Sequence, residues 1–311
     1  MERIAKEDMV VSKQNNESVL VCGGSGFLGS HVADALSDAG FKVRIFDTRV
    51  SPYLRPDQKM IVGSILDLGT LVEAVRGCSF VYNFAGISDI AASIDNREET
   101  TRFNVLGNMH VLEASRLNRA KRYVFASTVY VYSKMGSFYR ASKQVCEKQV
   151  ENYFDGFGLE YTILRYGSLY GRRSDSRNGI YRLVQQALKR NEMSYGGTEH
   201  AMREYVHVLD AAKLSVEILS EEFSNKPVII TGHERMTVGA LMRMIAEMVP
   251  GNPTLKFGAF PVEGHYEMTP YSFNPKHGKI LCCDSNLHFG NELKTPLNTS
   301  ESKEKEVVLI Q

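Results

Sequence analysis

Tyr139 and Lys143 stand four residues apart in Tyr139-Arg140-Ala141-Ser142-Lys143, so on a helix a phenol and an ammonium project from one face. An ammonium beside a phenol favours its ionised form, bringing the hydroxyl from an ordinary pKa of about 10 toward a working general acid or base. The spacing is common on ordinary helix surfaces. Its position gives it meaning, because it follows the strand-like run 123–128 at the end of a sheet where ligands sit. A second group of residues could hold phosphate: Gly23-Gly24-Ser25-Gly26-Phe27-Leu28-Gly29 follows the first strand-like run and opens a helix. Glycines there let the backbone turn sharply and bring free N–H groups and a helix amino terminus up to a pyrophosphate. Asp47 ends the next strand-like run, at the distance expected of an acid that bonds a ribose hydroxyl. Its charge would repel the extra phosphate of NADP, which favours NAD, although Arg49 lies close by. The glycines fit two registers, Gly24-x-Gly26-x-x-Gly29 and Gly23-x-x-Gly26-x-x-Gly29, and spacing alone does not choose between them.

These groups need elements to place them. Runs rich in β-branched and aromatic residues (18–23, 42–47, 59–62, 79–84, 121–127, 161–165) alternate with stretches of helical period near 27–39, 67–76, 98–118, 139–155 and 180–190. Strands that read as continuous apolar runs are buried on both faces, so the pattern predicts a doubly wound parallel α/β sheet of the Rossmann type. After about residue 170 the alternation loosens. Segments 207–221 and 237–249 look helical, 228–231 looks like a strand, and Pro250, Pro253, Pro261, Pro270 and Pro275 break up the chain beyond them. The reading is a flexible amino terminus (1–17), a dinucleotide-binding domain (18–170), a smaller substrate-binding lobe whose chain crosses back to the sheet (171–296), and a flexible carboxyl terminus (297–311).

Composition sets outer limits. A chain of 311 residues with 43% apolar side chains can bury a large core. Lys plus Arg (37) and Asp plus Glu (36) nearly cancel, so the overall charge announces neither a nucleic acid nor an anionic membrane. No apolar run approaches the roughly 20 residues that span a bilayer, and a cytoplasmic protein is expected. The five cysteines (Cys22, Cys78, Cys146, Cys282, Cys283) lack CxxC spacing, so reduced, mostly buried thiols are expected in place of a metal site or a disulfide framework.

Taken together, the motifs resemble the extended short-chain dehydrogenase/reductase family, the NAD-dependent epimerases and dehydratases, from about residue 18 to 250. The resemblance rests on GGSGFLG, Asp67-Leu68, Asn83-Phe84-Ala85-Gly86, Asn104-Val105-x-Gly107, Ser127-Thr128-x-x-Val131-Tyr132 and Tyr139-x-x-x-Lys143. It selects the Gly23, Gly26, Gly29 register. It implies catalysis by Thr128, Tyr139 and Lys143, and an NAD site formed by Gly23, Gly26, Phe27, Leu28, Asp47, Asp67, Leu68, Phe84, Ala85, Gly86, Tyr139, Lys143 and Tyr166. Leu164-Arg165-Tyr166-Gly167-Ser168 resembles the family's turn beside the nicotinamide, and Arg203-Glu204-Tyr205-Val206-His207-Val208-Leu209-Asp210 resembles its diphosphate-gripping segment. A nucleotide-diphosphate sugar is therefore the implied substrate, held by Ser88, Thr128, Ser168 and Arg203, with a surface salt bridge from Arg203 to Glu199 or Glu204 as the competing reading. His207 is expected to be structural.

Departures from the family pattern narrow the chemistry. Val129 and Tyr130 follow Thr128 where 4,6-dehydratases carry Asp and Glu, so elimination is disfavoured. The resemblance then implies an epimerase, acting at C4 through transient hydride transfer to a bound NAD that is regenerated. A reductase or dehydrogenase that consumes NAD(P)(H) is the alternative, followed by a non-catalytic dinucleotide-binding regulator. It also implies a homodimer through helices 98–118 and 139–155, the second offering Val145, Val150, Tyr153 and Phe154. The stretch 264–276 is expected either to pack the small lobe with Tyr266, Tyr271 and Phe273 or to stack them on the substrate.

Overall fold

A computed structural model of the chain describes residues 17–233, 235–260, 262 and 264–268, and the backbone of 279–281. Strand β1 (Ser18–Cys22) passes through a glycine turn into α1 (Phe27–Asp38), then β2 (Lys42–Asp47), β3 (Lys59–Val62), α2 (Leu68–Val75) and β4 (Phe80–Asn83). Two short helices, α3 (Ile90–Asp95) and α4 (Arg97–Thr100), lead into a π-helical turn (Thr101–Leu106) that continues as α5 (Gly107–Leu117). Strand β5 (Arg122–Thr128) is followed by a 3-10 turn (Val129–Tyr132), the long α6 (Ser137–Phe157), β6 (Glu160–Tyr166) and β7 (Ser168–Tyr170). Next come α7 (Gly179–Arg190), β8 (Glu192–Tyr195), β9 (Met202–His207), α8 (Val208–Glu217) and β10 (Lys226–Ile230). The last described elements are β11 (Arg235–Thr237), α9 (Val238–Met248), β12 (Thr254–Phe257) and β13 (Lys279–Leu281).

Eight of these strands form one parallel sheet in the order β13-β10-β6-β5-β4-β1-β2-β3. Alternate side chains explain why the strands read as unbroken apolar runs. Val19 and Val21 enter a cluster with Val32 and Leu36 of α1 and Leu214 of α8, while Leu20 and Cys22 enter another with Leu71 of α2, Val111 of α5 and Val150 of α6. Each such side chain, taken fully out of water, stabilises the fold by about 1.5–3 kcal/mol. The succession reverses between β1 and β4, and in open α/β sheets ligands bind outside the carboxyl ends of the strands at that switch point.

The remaining strands make two small sheets, β11-β9-β7 and β12-β8, which with α7 and α9 enclose a third core around Leu183, Met193 and Leu241. Between them β10 and β13 return to the main sheet. The stretch read as one helix over 98–118 is broken by the π-helical turn, and helix 139–155 begins two residues earlier and ends two later. Val150 is fully buried in the subunit's own core, and Tyr153 and Phe154 pack against it, so three of the four positions offered for a dimer contact are spent internally. Cys22, Cys78 and Cys146 are buried and unpaired; Cys282 and Cys283 lie outside the described residues. Among the described residues no helix is long and apolar enough to cross a membrane.

Candidate active site

The glycine turn lies at the switch point. Gly23 has φ +78°, and a Cβ on it would fall 2.6 Å from the Ala85 nitrogen and 2.7 Å from the Phe84 carbonyl carbon. A Cβ on Gly29 would fall 2.3 Å from the Gly23 oxygen, while Gly26 donates its N–H to that oxygen at 3.1 Å. Gly24 is tight for another reason: its Cβ would strike Ile45 at 2.9 Å, a packing contact with β2. Gly26, as N-cap of α1, gives no side chain to the first-turn N–H groups, so the turn and the helix start present backbone donors where an anion could sit. Asp47 is half-buried at the end of β2 and accepts from Ser25 N–H at 3.0 Å. These residues fit a dinucleotide: a turn with no room for Cβ atoms, uncapped donors, and a carboxylate one strand away.

Gly23→Ala is therefore expected to purify without nucleotide. A left-handed φ costs a non-glycine residue about 1–2 kcal/mol, and the new methyl must push the 84–85 backbone away. Mass spectrometry of nucleotide released on denaturation checks this, and a variant carrying NAD at wild-type stoichiometry would contradict it.

The other expected cofactor residues are less uniform. Leu28 packs on the core and Phe27 meets His31 edge-on at 6.0 Å, so both bring backbone to the helix start. Phe84, Ala85 and Gly86 follow β4 against the glycine turn; Gly86 has φ +145°, and its Cβ would meet Asn104 Oδ1 at 2.6 Å. Asp67 caps α2, accepting from Thr70 N–H at 3.1 Å and Thr70 Oγ1 at 2.6 Å, and the next residue, Leu68, leans on the core. Tyr166 would serve through its backbone alone. Strand alternation turns its ring into the core beneath Phe84, and its hydroxyl shares a 2.6 Å hydrogen bond with Ser215 Oγ, leaving only backbone at the tip of β6.

Thr128 ends β5, and Tyr139 and Lys143 occupy the first turns of α6. The Thr128 hydroxyl adjoins the Tyr139 phenol and favours its ionised form. Lys143 is buried, donates to the Ala126 carbonyl at 2.7 Å, and lies 4.7 Å from the Phe125 ring centre and 5.9 Å from that of Tyr139. Burial pushes the Tyr139 phenol up to about 12, with the Thr128 hydroxyl pulling the other way; burial likewise draws Lys143 down. An ammonium favours the ionised phenol, but burial acts against it here. In this structure the desolvation of an enclosed phenol outweighs an ammonium nearly 6 Å from the ring.

Beyond this trio stands Arg203, on β9. It is buried, yet it pairs with neither Glu199, which holds Arg243 at 3.0 Å, nor Glu204, which holds Arg235 at 2.6 Å. Its guanidinium donates to the Met202 carbonyl at 2.8 Å and to Tyr195 OH at 3.4 Å, and stacks over Tyr266 at 4.5 Å. Among the described residues no carboxylate lies within ion-pair distance of it. Ser168 bonds the Tyr266 side chain, and Ser88 is exposed on the loop after β4. His207 is buried and caps α8, accepting from Leu209 N–H at 3.4 Å.

Residues to which the sequence assigned no role at the site complete it. Tyr130, two positions past Thr128, shares a 2.8 Å hydrogen bond with His265 Nδ1 and lies 4.6 Å from Tyr266. Burial draws His265 down to about 4, so it is neutral at physiological pH. The segment carrying it is tied at both ends: Gly136 N–H donates to the Gly264 carbonyl at 2.7 Å, and Met202 N–H to that of Glu267 at 2.6 Å. It bridges the start of α6 to the strand bearing Arg203; residues 269–276, with Tyr271 and Phe273, lie outside the described residues. Asn104, in the π-helical turn, holds Ile87 through N–H (2.7 Å) and carbonyl (2.9 Å), and Ser142 Oγ at 2.9 Å.

A family model covers the chain from β1 through β10, which includes the glycine turn, Thr128, Tyr139, Lys143 and Arg203 but not the 264–268 segment: residues 19–231 match the NAD dependent epimerase/dehydratase family. The chain belongs to that family. Within it, the UDP-glucose 4-epimerase of Corynebacterium glutamicum is 28% identical over 240 residues, 67% of this chain and 72% of that protein. The UDP-N-acetyl-alpha-D-glucosaminuronate decarboxylase of Bacillus cytotoxicus is 26% identical over 257 residues, 74% and 79% of the two chains. The fold superposes on the crystal structure of a Thermotoga maritima UDP-glucose 4-epimerase with UDP-glucose, with a TM-score of 0.74 at 23% identity, over 89% of this chain and 96% of that one.

Proposed function

We propose that the protein is an NAD-dependent nucleotide-sugar epimerase acting at C4. The observation that carries this reading is the Thr128–Tyr139 pair with Lys143 one helical turn on, in a chain that also has a glycine turn fitting a pyrophosphate and a buried Arg203 with no carboxylate partner among the described residues. The UDP-glucose 4-epimerases among its relatives support C4 and a UDP-sugar. Held by the glycine turn and Asp47, NAD would supply the hydride-accepting and hydride-returning capacity that an epimerisation at C4 requires.

The chain's own residues supply the rest. Tyr139 Oη takes the proton of the sugar hydroxyl and afterwards returns it, while Thr128 orients that hydroxyl. Tyr139 keeps its own proton at neutral pH until a further positive charge adjoins it, so the phenol becomes a base only in the loaded site. Arg203 binds the diphosphate with a planar fork of donors. Val129 and Tyr130 put no carboxylate beside the sugar to drive elimination. The same reading includes a homodimer, supported by the exposed apolar side chains Met109 and Leu117 of α5 and Val145 and Phe157 of α6. Light scattering is expected to give twice the 34.9 kDa of one chain; a monomer mass would remove the dimer.

NMR of the purified protein with UDP-glucose and UDP-N-acetylglucosamine, with absorbance of reduced nicotinamide followed in parallel, tests the function. Interconversion of the C4 epimers without net change in NAD(H) is expected. Stoichiometric consumption of NAD(H), or no conversion of either sugar, would overturn it.

A further inference from the structure

Beneath the reacting trio lies a buried ion pair that touches none of the positions assigned to substrate. Glu147 follows Lys143 by one helical turn, so Tyr139, Lys143 and Glu147 line one face of α6. Both oxygens of Glu147 are held: Oε1 accepts from Ser127 Oγ at 2.5 Å and Arg165 Nε at 3.0 Å, and Oε2 from Arg165 Nη2 at 2.6 Å. Arg165 sits on β6 directly across from Ser127 on β5, and its Nη1 donates to Tyr132 OH at 2.6 Å. One bidentate pair thus joins α6, β5, β6 and the turn that follows Thr128. Glu147, Arg165 and Ser127 are all buried.

Such a pair is weak evidence of a contribution to stability, because desolvation of two charges offsets their attraction and apolar replacements are often tolerated. We propose that the Glu147–Arg165 pair is a positioning element for catalysis, fixing Thr128 and Lys143 relative to Tyr139 and keeping a buried carboxylate one helical turn from the Lys143 ammonium. The proposal rests on the epimerase reading of the same site. Burial draws Lys143 toward its neutral form, and Glu147 opposes this. The other groups facing Lys143 are Tyr139 and Cys146 from α6, the Phe125 ring and Ala126 carbonyl from β5, and Arg165 from β6 behind the carboxylate. Loss of Glu147 therefore lowers the pH at which Lys143 gives up its proton.

The test uses the NAD-loaded protein and follows the 15N signal of the lysine Nζ, assigned with Lys143→Arg. In Glu147→Gln the Lys143 midpoint is expected to fall by about one pH unit, with the alkaline limb of turnover following it down and kcat falling more than KM changes. Because Glu147→Gln strands the Arg165 charge, the double variant Glu147→Gln/Arg165→Met is measured beside it; it removes both charges, should fold, and is expected to shift in the same direction. A Lys143 midpoint and pH profile that match the wild type in a folded variant overturn the proposal and leave the pair a packing feature. If the wild type converts no sugar nucleotide, the functional reading fails, yet the lysine titration still decides this one.

Discussion

Tyr139→Phe is expected to lower turnover of the sugar nucleotide by about a thousandfold, within the range that a positioned proton-transfer group contributes. The substitution keeps the ring against its neighbours and removes one oxygen. Among the described residues Thr128 then keeps only the Tyr130 N–H, from which it accepts at 3.3 Å and which cannot take a proton from the substrate. NAD should remain bound, since the glycine turn, Asp47 and Lys143 are untouched. Single-turnover rates at saturating substrate, with nucleotide content measured on the same sample, separate loss of chemistry from loss of cofactor. Residual activity within tenfold of wild type would remove Tyr139 from the proton path.

Arg203→Met is expected to raise KM by about a hundredfold with a smaller change in kcat, because a guanidinium that grips a non-reacting diphosphate binds ground state and transition state alike. That factor lies within the roughly 2–5 kcal/mol lost when one partner of a buried charge pair is truncated. Methionine keeps the stem over the Tyr266 ring, so the lobe should hold its shape. Arg203→Lys should recover little, since a point charge cannot reproduce the two-pronged geometry. Titration with UDP alone, by calorimetry, checks the assignment without any turnover: affinity close to wild type in Arg203→Met would place the diphosphate elsewhere.

The main sheet was legible because its central strands are buried on both faces, as in Val19-Leu20-Val21-Cys22, where every residue finds a core. The turn chemistry was legible too, since the φ of Gly23 and the lack of space at Gly29 are demands that only glycine meets. Other features left no mark in the pattern. A π-helical turn adds one residue to a hydrogen-bonded ring while leaving the local apolar pattern helical, so the break at Asn104 was invisible. Short strands such as β7, β8 and β9 pair only within the two small sheets, at lengths where periodicity says little.

At the site, spacing placed Tyr139 and Lys143 on one face but could not weigh burial against charge, which is why the phenol stands higher than the sequence suggested. For Tyr166 a motif fixes a position along a strand, whereas pleating decides which side its ring takes, so the sequence did not tell that only its backbone reaches the tip of β6. Arg203 shows the converse. Two acids within four residues offered it an obvious partner, and the fold gave each of them to another arginine.

The return of β10 and β13 to the main sheet carries a practical consequence for anyone trimming the chain. Cutting it after β7 would strip β6 of its outer neighbour and bare a row of backbone donors and acceptors along an apolar strand. Truncated protein of that kind would tend to pair with its own copies and precipitate, so the nucleotide-binding half and the remainder are best expressed as a single piece.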